Sequence, residues 1–172
     1  MAETNRAMVE IEIFGGVTVV DAVHSGSSNF QVSLASSTGD QRELFVNEIG
    51  KFKGEKARLL KAETYHLEVV ADGDWWLEVR QPRKVGVEEL PRSIRDTKPR
   101  VIGPFTFRGS HTMACSHQGE RNFQVSTLPT DGRPGTMLVN VIGQYADETA
   151  FQAMGKNYLV VEADGEWMID LE

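Results

Sequence analysis

The chain has 172 residues, 40% of them hydrophobic and 25% charged, with a formal net charge of −7. At roughly 100 to 200 residues per domain this composition allows one globular domain or two small ones. The acidic balance argues against nucleic acid as a partner, because phosphate backbones are met by basic surfaces, and the single Cys115 cannot form an internal disulfide.

The start, MAETNRAMVEIEIF, shows neither a charged segment followed by an apolar one nor a long apolar run, so a cytoplasmic setting without membrane insertion is expected. The stretch IEIFGGVTVVDAVH (11–24) is rich in β-branched residues, and period-two reading turns Phe14, Val20 and Ala22 inward. NFQVS (29–33) alternates polar Asn29, Gln31 and Ser33 with apolar Phe30 and Val32, the pattern of a strand that buries one face. VNEIGKFKGEKARLLKAE (46–63) reads as strand, with a helical turn as the alternative. YHLEVVADGDWWLEV (65–79) reads as a hairpin, Asp-Gly supplying the positive φ of a tight turn, with Trp75, Leu77 and Val79 on one face.

The pentapeptide NFQVS returns at 122–126, and setting the two copies in register aligns a whole unit. His24 meets His117, Gly26 meets Gly119, VNEIG (46–50) meets VNVIG (139–143), Phe52 meets Tyr145 and Tyr65 meets Tyr158. After a one-residue slip, the size of a β-bulge, ADGDW (71–75) meets ADGEW (163–167). The expected organisation is a duplication: module 1 over 7–80, a linker over 81–100, and module 2 over 101–172. The linker holds three prolines and six Lys or Arg against three acidic residues, a formal +3 that leaves −10 on the remainder, and it reads as a solvated tether.

In module 2, FTFRGSHTMACSH (105–117) alternates so that Phe105, Phe107, Met113 and Cys115 point inward, and GQYADETAFQAM (143–154) shares the strand-or-helix ambiguity of its counterpart. Roughly six or seven short strands per module, spaced by Gly and Asp turns, predict an all-β protein of two tandem antiparallel β-sandwich modules. A module of roughly 70–75 residues buries little more than about 60% of its unfolded surface, so the two are expected to pack together about a pseudo-twofold axis.

The pattern H-x-G-x-x-N-F-x-V, then V-N-x-I-G, then A-D-G-x-W resembles a poorly characterised β-sandwich module of actinobacterial and archaeal proteins, and is loosely similar to bacterial pre-peptidase C-terminal domains. The resemblance spans nearly all of both modules. It implies an accessory or binding role, brings no catalytic residues, and implies a secreted or surface setting, against the cytoplasmic one read from the start of the chain.

His111, Cys115 and His117 share strand parity, so a metal-dependent activity at Cys115 and His117 is one candidate. Residues two apart lie about 6.6 Å from each other on a strand face, whereas His111 lies about 20 Å from His117, and two ligands do not make a zinc site. Cys115 reads more simply as a small core residue. His24 and His117 each precede a Gly-containing turn, where the ring caps the loop or lines a ligand rim. Asn47 and Asn140 read as buried amides that bridge diverging strands, with Asn29 and Asn122 in similar or turn-forming roles. ADGDW and ADGEW have too few carboxylates for a dedicated calcium site.

Trp75 and Trp167 are expected as core anchors, and Trp76, replaced by Met168 in the second copy, faces the other way. No P-loop, HExxH, GxSxG, Rossmann or paired-cysteine motif is present, and no cofactor is implied. The sequence therefore predicts a non-enzymatic module that binds a protein or a glycan. Candidate contacts are Trp76, His24, His111, His117 and Tyr145, together with 51–56 and 145–149, expected as loops that differ between the copies. A structural homo-oligomer, such as a shell, virion or surface-layer component pairing through sheet edges, is the alternative.

Overall fold

The computed structural model describes residues 5–83 and 85–172, which are strand and loop with no helix among them. The chain divides into two compact units, Met1–Pro82 and Arg83–Glu172. No helix is long and apolar enough to cross a membrane.

Unit 1 contains β1 (Asn5–His24), β2 (Asn29–Ser36), β3 (Arg42–Ile49), β4 (Phe52–Ala71) and β5 (Trp75–Arg80). They form one antiparallel sheet in the order β3-β2-β4-β1-β5. β1 and β4 pair along their whole length, from Asn5↔Ala71 to His24↔Phe52. β5 then pairs with the far end of β1, where His24 lies opposite Trp75.

That connectivity forces the sheet to fold over. A straight strand of 20 residues would be about 66 Å long. Yet the four Cα steps from Ala71 to Trp75 span at most about 15 Å, so the two ends of β1 must be brought together. Gly15 and Gly16, at φ 86 and 97, supply a backbone conformation that a side chain would resist, in the middle of β1. The folded sheet encloses Ile13, Val20, Phe30, Leu34, Phe45, Tyr65 and Leu67 between its layers, the arrangement of a β-sandwich.

Several sequence readings are corrected here. The stretch 65–79 is not a hairpin, because β4 and β5 lie on opposite sides of β1 and the Asp72-Gly73 loop passes across the end of that strand. Gly73 is outside the positive-φ glycines. It is required for closeness instead, since a Cβ there would sit 2.7 Å from the backbone of Gly26. The stretch 46–63 is strand apart from Gly50 and Lys51, where β3 turns into β4. Phe14 is 51% exposed while Ile13 is buried, so the inward parity read through Phe14 does not run unbroken across the double glycine.

Unit 2 opens with β6 (Arg92–Asp96) and continues with β7 (Arg100–His117), β8 (Asn122–Pro129), β9 (Met137–Ile142), β10 (Tyr145–Glu162) and β11 (Trp167–Leu171). The antiparallel order is β6-β11-β7-β10-β8-β9, which without β6 is strand for strand the order of unit 1. Phe105, Phe107, Met113, Cys115, Phe123, Trp167, Ile169 and Leu171 lie in its core.

The tether reading of 81–100 is also corrected. Residues 92–96 form an edge strand on β11, from Arg92↔Leu171 to Asp96↔Trp167, and Leu90 and Ile94 pack on the core. A charge count passes over these two apolar residues, and Pro91 and Pro99 bracket the short strand rather than interrupt it. The one-residue slip between the two units lies earlier than the sequence alignment places it. Ser36 pairs with Tyr65 and its counterpart Pro129 with Asn157, so Asn157, not Tyr158, stands where Tyr65 does, and the β10–β7 ladder shifts between Asn157 and Leu159.

Candidate interaction site

The curl of each sheet brings a histidine from the end of one long strand against an aspartate from the end of the other. In unit 1, His24 Nδ1 lies 2.7 Å from the Gly50 carbonyl and Nε2 lies 3.2 Å from Asp72 Oδ1. The ring stacks on Phe30 at 4.5 Å with 8° between planes. Asp72 Oδ2 accepts from the amides of Ser27 at 3.1 Å and Ser28 at 2.9 Å.

Unit 2 repeats these contacts, without the Ser27 hydroxyl that also donates to Asp72 Oδ2 at 3.3 Å. His117 Nδ1 is 2.8 Å from the Gly143 carbonyl, Nε2 is 3.3 Å from Asp164 Oδ1, and the ring stacks on Phe123 at 4.7 Å. Asp164 accepts from the amides of Glu120 and Arg121. Burial alone would raise both carboxyls. The amides of Ser27 and Ser28 with His24, and of Arg121 and Glu120 with His117, outweigh it and hold Asp72 and Asp164 below the usual carboxylate range. A Cβ on Gly26 or Gly119 would clash with the Asp oxygen and the His ring of its own unit.

H-x-G and A-D-G are thus two halves of one loop latch. Both imidazole side chains have no exposed surface, so His24 and His117 close the loops and do not line a ligand rim. His111 is also engaged. Its Nε2 accepts from the Arg108 amide at 3.2 Å, which leaves the proton on Nδ1, 3.0 Å from the carbonyl of Glu172. Tyr145 is half-buried beside Phe123. The stretches 52–56 and 145–149, expected as loops, are strand.

Cys115 is buried, and its thiol is pushed up to about 11 by burial and by the charge of Asp147, so it stays protonated near neutrality. Among the described residues no group of three His, Cys, Asp or Glu is placed to hold a metal ion. Asn47 and Asn140 are exposed, against the buried role read for them. Each accepts from the facing glutamine, Gln31 at 2.9 Å and Gln124 at 3.0 Å. A cleft of 340 Å³ beside Thr127, Arg133, Met154 and Asn157 contains none of the residues singled out from the sequence.

The tryptophans separate the two units. Trp167 is 1% exposed, and its indole N–H donates to the carbonyl of Lys98 at 2.9 Å. Trp75, in the matching position on β5, is 38% exposed, and its neighbour Trp76 is 52% exposed. Ile169 and Leu171 are buried, whereas their counterparts Leu77 and Val79 are only partly so.

The cause is β6, which covers the outer edge of β11. Among the described residues no strand pairs with the outer edge of β5. Trp75 is therefore corrected from core anchor to partly exposed edge residue. The sequence could not single it out, because the words around Trp75 and Trp167 are nearly identical and the residues that decide the difference lie at 92–98.

Comparison with protein-family models and with curated proteins gives no match. Among solved structures, the PBSX exported protein XepA matches 98% of this chain and 85% of its own at 11% identity, with a TM-score of 0.30. Oxalate decarboxylase from Bacillus subtilis matches 97% of this chain and 67% of its own at 10% identity and a TM-score of 0.22. Vicilin from Corylus avellana matches 98% of this chain and 74% of its own at 6% identity and a TM-score of 0.19. At these scores none of them bears on function.

Proposed function

We propose that the chain is a non-enzymatic interaction protein built from two copies of one β-sandwich module, and that unit 1 carries a protein-binding edge at β5. The observation behind this reading is the exposure of Trp75 and Trp76 on an edge strand whose counterpart in unit 2 is covered. Large aromatic surface beside unpaired backbone groups is a common anchor for polypeptide partners. Protein is favoured over glycan because consecutive strand residues point to opposite faces, so the two indoles do not make one platform for a sugar ring.

A library of displayed peptides, screened on the folded chain and counter-screened on Trp76→Lys, tests this reading, with a glycan array run in parallel. Peptide ligands are expected. Binding confined to the glycan array, or no ligand in either format, would overturn it.

A further inference from the structure

The covered edge of unit 2 describes what the open edge of unit 1 lacks. β11 and β5 sit in the same register on their long neighbours, His117↔Trp167 and His24↔Trp75. The pairing of β6 with β11 can therefore be carried residue by residue onto β5. Ile94 lies opposite Ile169, whose counterpart is Leu77. Arg95 lies opposite Met168, whose counterpart is Trp76, and Ser93 lies opposite Asp170, whose counterpart is Glu78. The carbonyl that accepts from Trp167 belongs to Lys98, two residues beyond the partner of Trp167, Asp96.

We propose that the outer edge of β5 takes an extended segment of a partner protein as a sixth, antiparallel strand, in the register that β6 uses on β11. The proposal rests on the reading of the chain as a protein-binding module. The segment it fits has an aliphatic residue opposite Leu77, which closes over the partly exposed Leu77 and Val79. Beside that residue stands a cationic one, opposite Trp76, where an arginine stacks on the indole face and lies near the carboxylate of Glu78. A carbonyl two residues past the partner of Trp75 accepts its indole N–H. Strand addition supplies main-chain hydrogen bonds along the edge, and the alternate side chains supply selectivity.

The chemistry of β5 disfavours a second copy of this chain as the occupant. Antiparallel self-pairing with Leu77 opposite Leu77 places Trp76 against Glu78 and leaves no cation on the indole. Shifting it so that Leu77 meets Val79 puts Glu78 directly opposite Glu78, a like-charge pair that destabilises. A basic, aliphatic segment of another protein meets both requirements at once.

The probe is a synthetic peptide with the sequence of residues 90–99, LPRSIRDTKP, titrated into the full-length chain by calorimetry. Iodide quenching of the three tryptophans is followed in parallel. One-to-one binding is expected, with loss of iodide access to Trp75. Affinity should fall about tenfold in Trp76→Lys, and by a similar factor in Glu78→Lys, the size of one lost cation contact. Both side chains are about half exposed, so both variants should fold. A peptide with Asp in place of Ile94 should not bind.

No binding of this peptide, equal binding of the Asp peptide, or binding indifferent to both variants would overturn the strand addition. So would a dimer in sedimentation that Trp76→Lys dissociates, since it would put a second copy on the edge. Displayed peptides that bind wild type and Trp76→Lys equally would sink the strand addition together with the β5 edge, and leave only the broader reading of the chain as a protein-binding module. A chain that selects no peptide at all would lose both.

Discussion

In Arg83–Glu172 the strand β11 lies between β7 and β6, and its tryptophan, isoleucine and leucine are buried. In Met1–Pro82 the matching strand β5 has β1 on one side and no described strand on the other, and its tryptophan is partly exposed. Both strands follow nearly the same sequence word, and the tryptophan of each lies opposite a histidine on the neighbouring strand, His24 for Trp75 and His117 for Trp167. What differs is a five-residue strand at the start of unit 2. The contrast shows that a residue's burial in this fold is decided by what is added at the sheet edge, not by the local word that contains it.

A second difference runs the other way. Glu68 of unit 1 is buried and pairs with Arg42 at 2.7 Å and with Arg6, whereas Val160 holds its place in unit 2. A buried carboxylate is tolerable only with such partners, and a valine there needs none. Unit 1 is thus the more polar and more open version of the fold.

The sharpest way to break the comparison is to delete the covered ring. Trp167→Ala should cost about 3–5 kcal/mol of stability, because it empties a packed site and strands the Lys98 carbonyl. Denaturant unfolding followed by circular dichroism measures it. Next in size are Gly26→Ala and Gly119→Ala, each expected to cost about 3 kcal/mol by forcing a methyl group into the latch. Similar losses from the two would confirm that the latch does the same job in both units; a neutral result at one would separate them.

The latches also predict an acid limb. Asp72 and Asp164 are held below the usual carboxylate value, so each contributes stability that is fully present above about pH 4 and lost as pH falls through its lowered folded value. Asp72→Asn and Asp164→Asn should each make stability less steep in pH below about pH 4 in acid titrations. Asp96 and Asp131, also held low with help from Arg100 and Arg133, would sustain the remaining slope. The smallest effect belongs to the exposed ring. Trp75→Ala should change stability by about 1 kcal/mol or less, several-fold under the loss at Trp167.

Much of the fold was legible in the sequence. The period-two alternation of NFQVS correctly turned Phe30 and Phe123 inward, and the strand-rich reading of both halves agrees with two antiparallel sheets that share a strand order. The functions of the motif words were harder to read, because His24 and Asp72 are distant in sequence and meet only once the sheet folds over at Gly15 and Gly16. The same folding made a false hairpin of 65–79, since two consecutive strands that flank a third look like paired neighbours in a linear chain. Trp76 was marked as outward from its parity and is exposed. Trp75 was not found, because its exposure depends on residues that another part of the chain supplies to Trp167.

Hydrogen exchange of individual backbone amides tests most directly whether the two edges differ. The amides of β5 that point away from β1 should exchange rapidly, while the amides of β11 that point toward β6 should be protected, and the peptide 90–99 should slow only the former. Equal protection of the two sets without any peptide would contradict an open edge on unit 1.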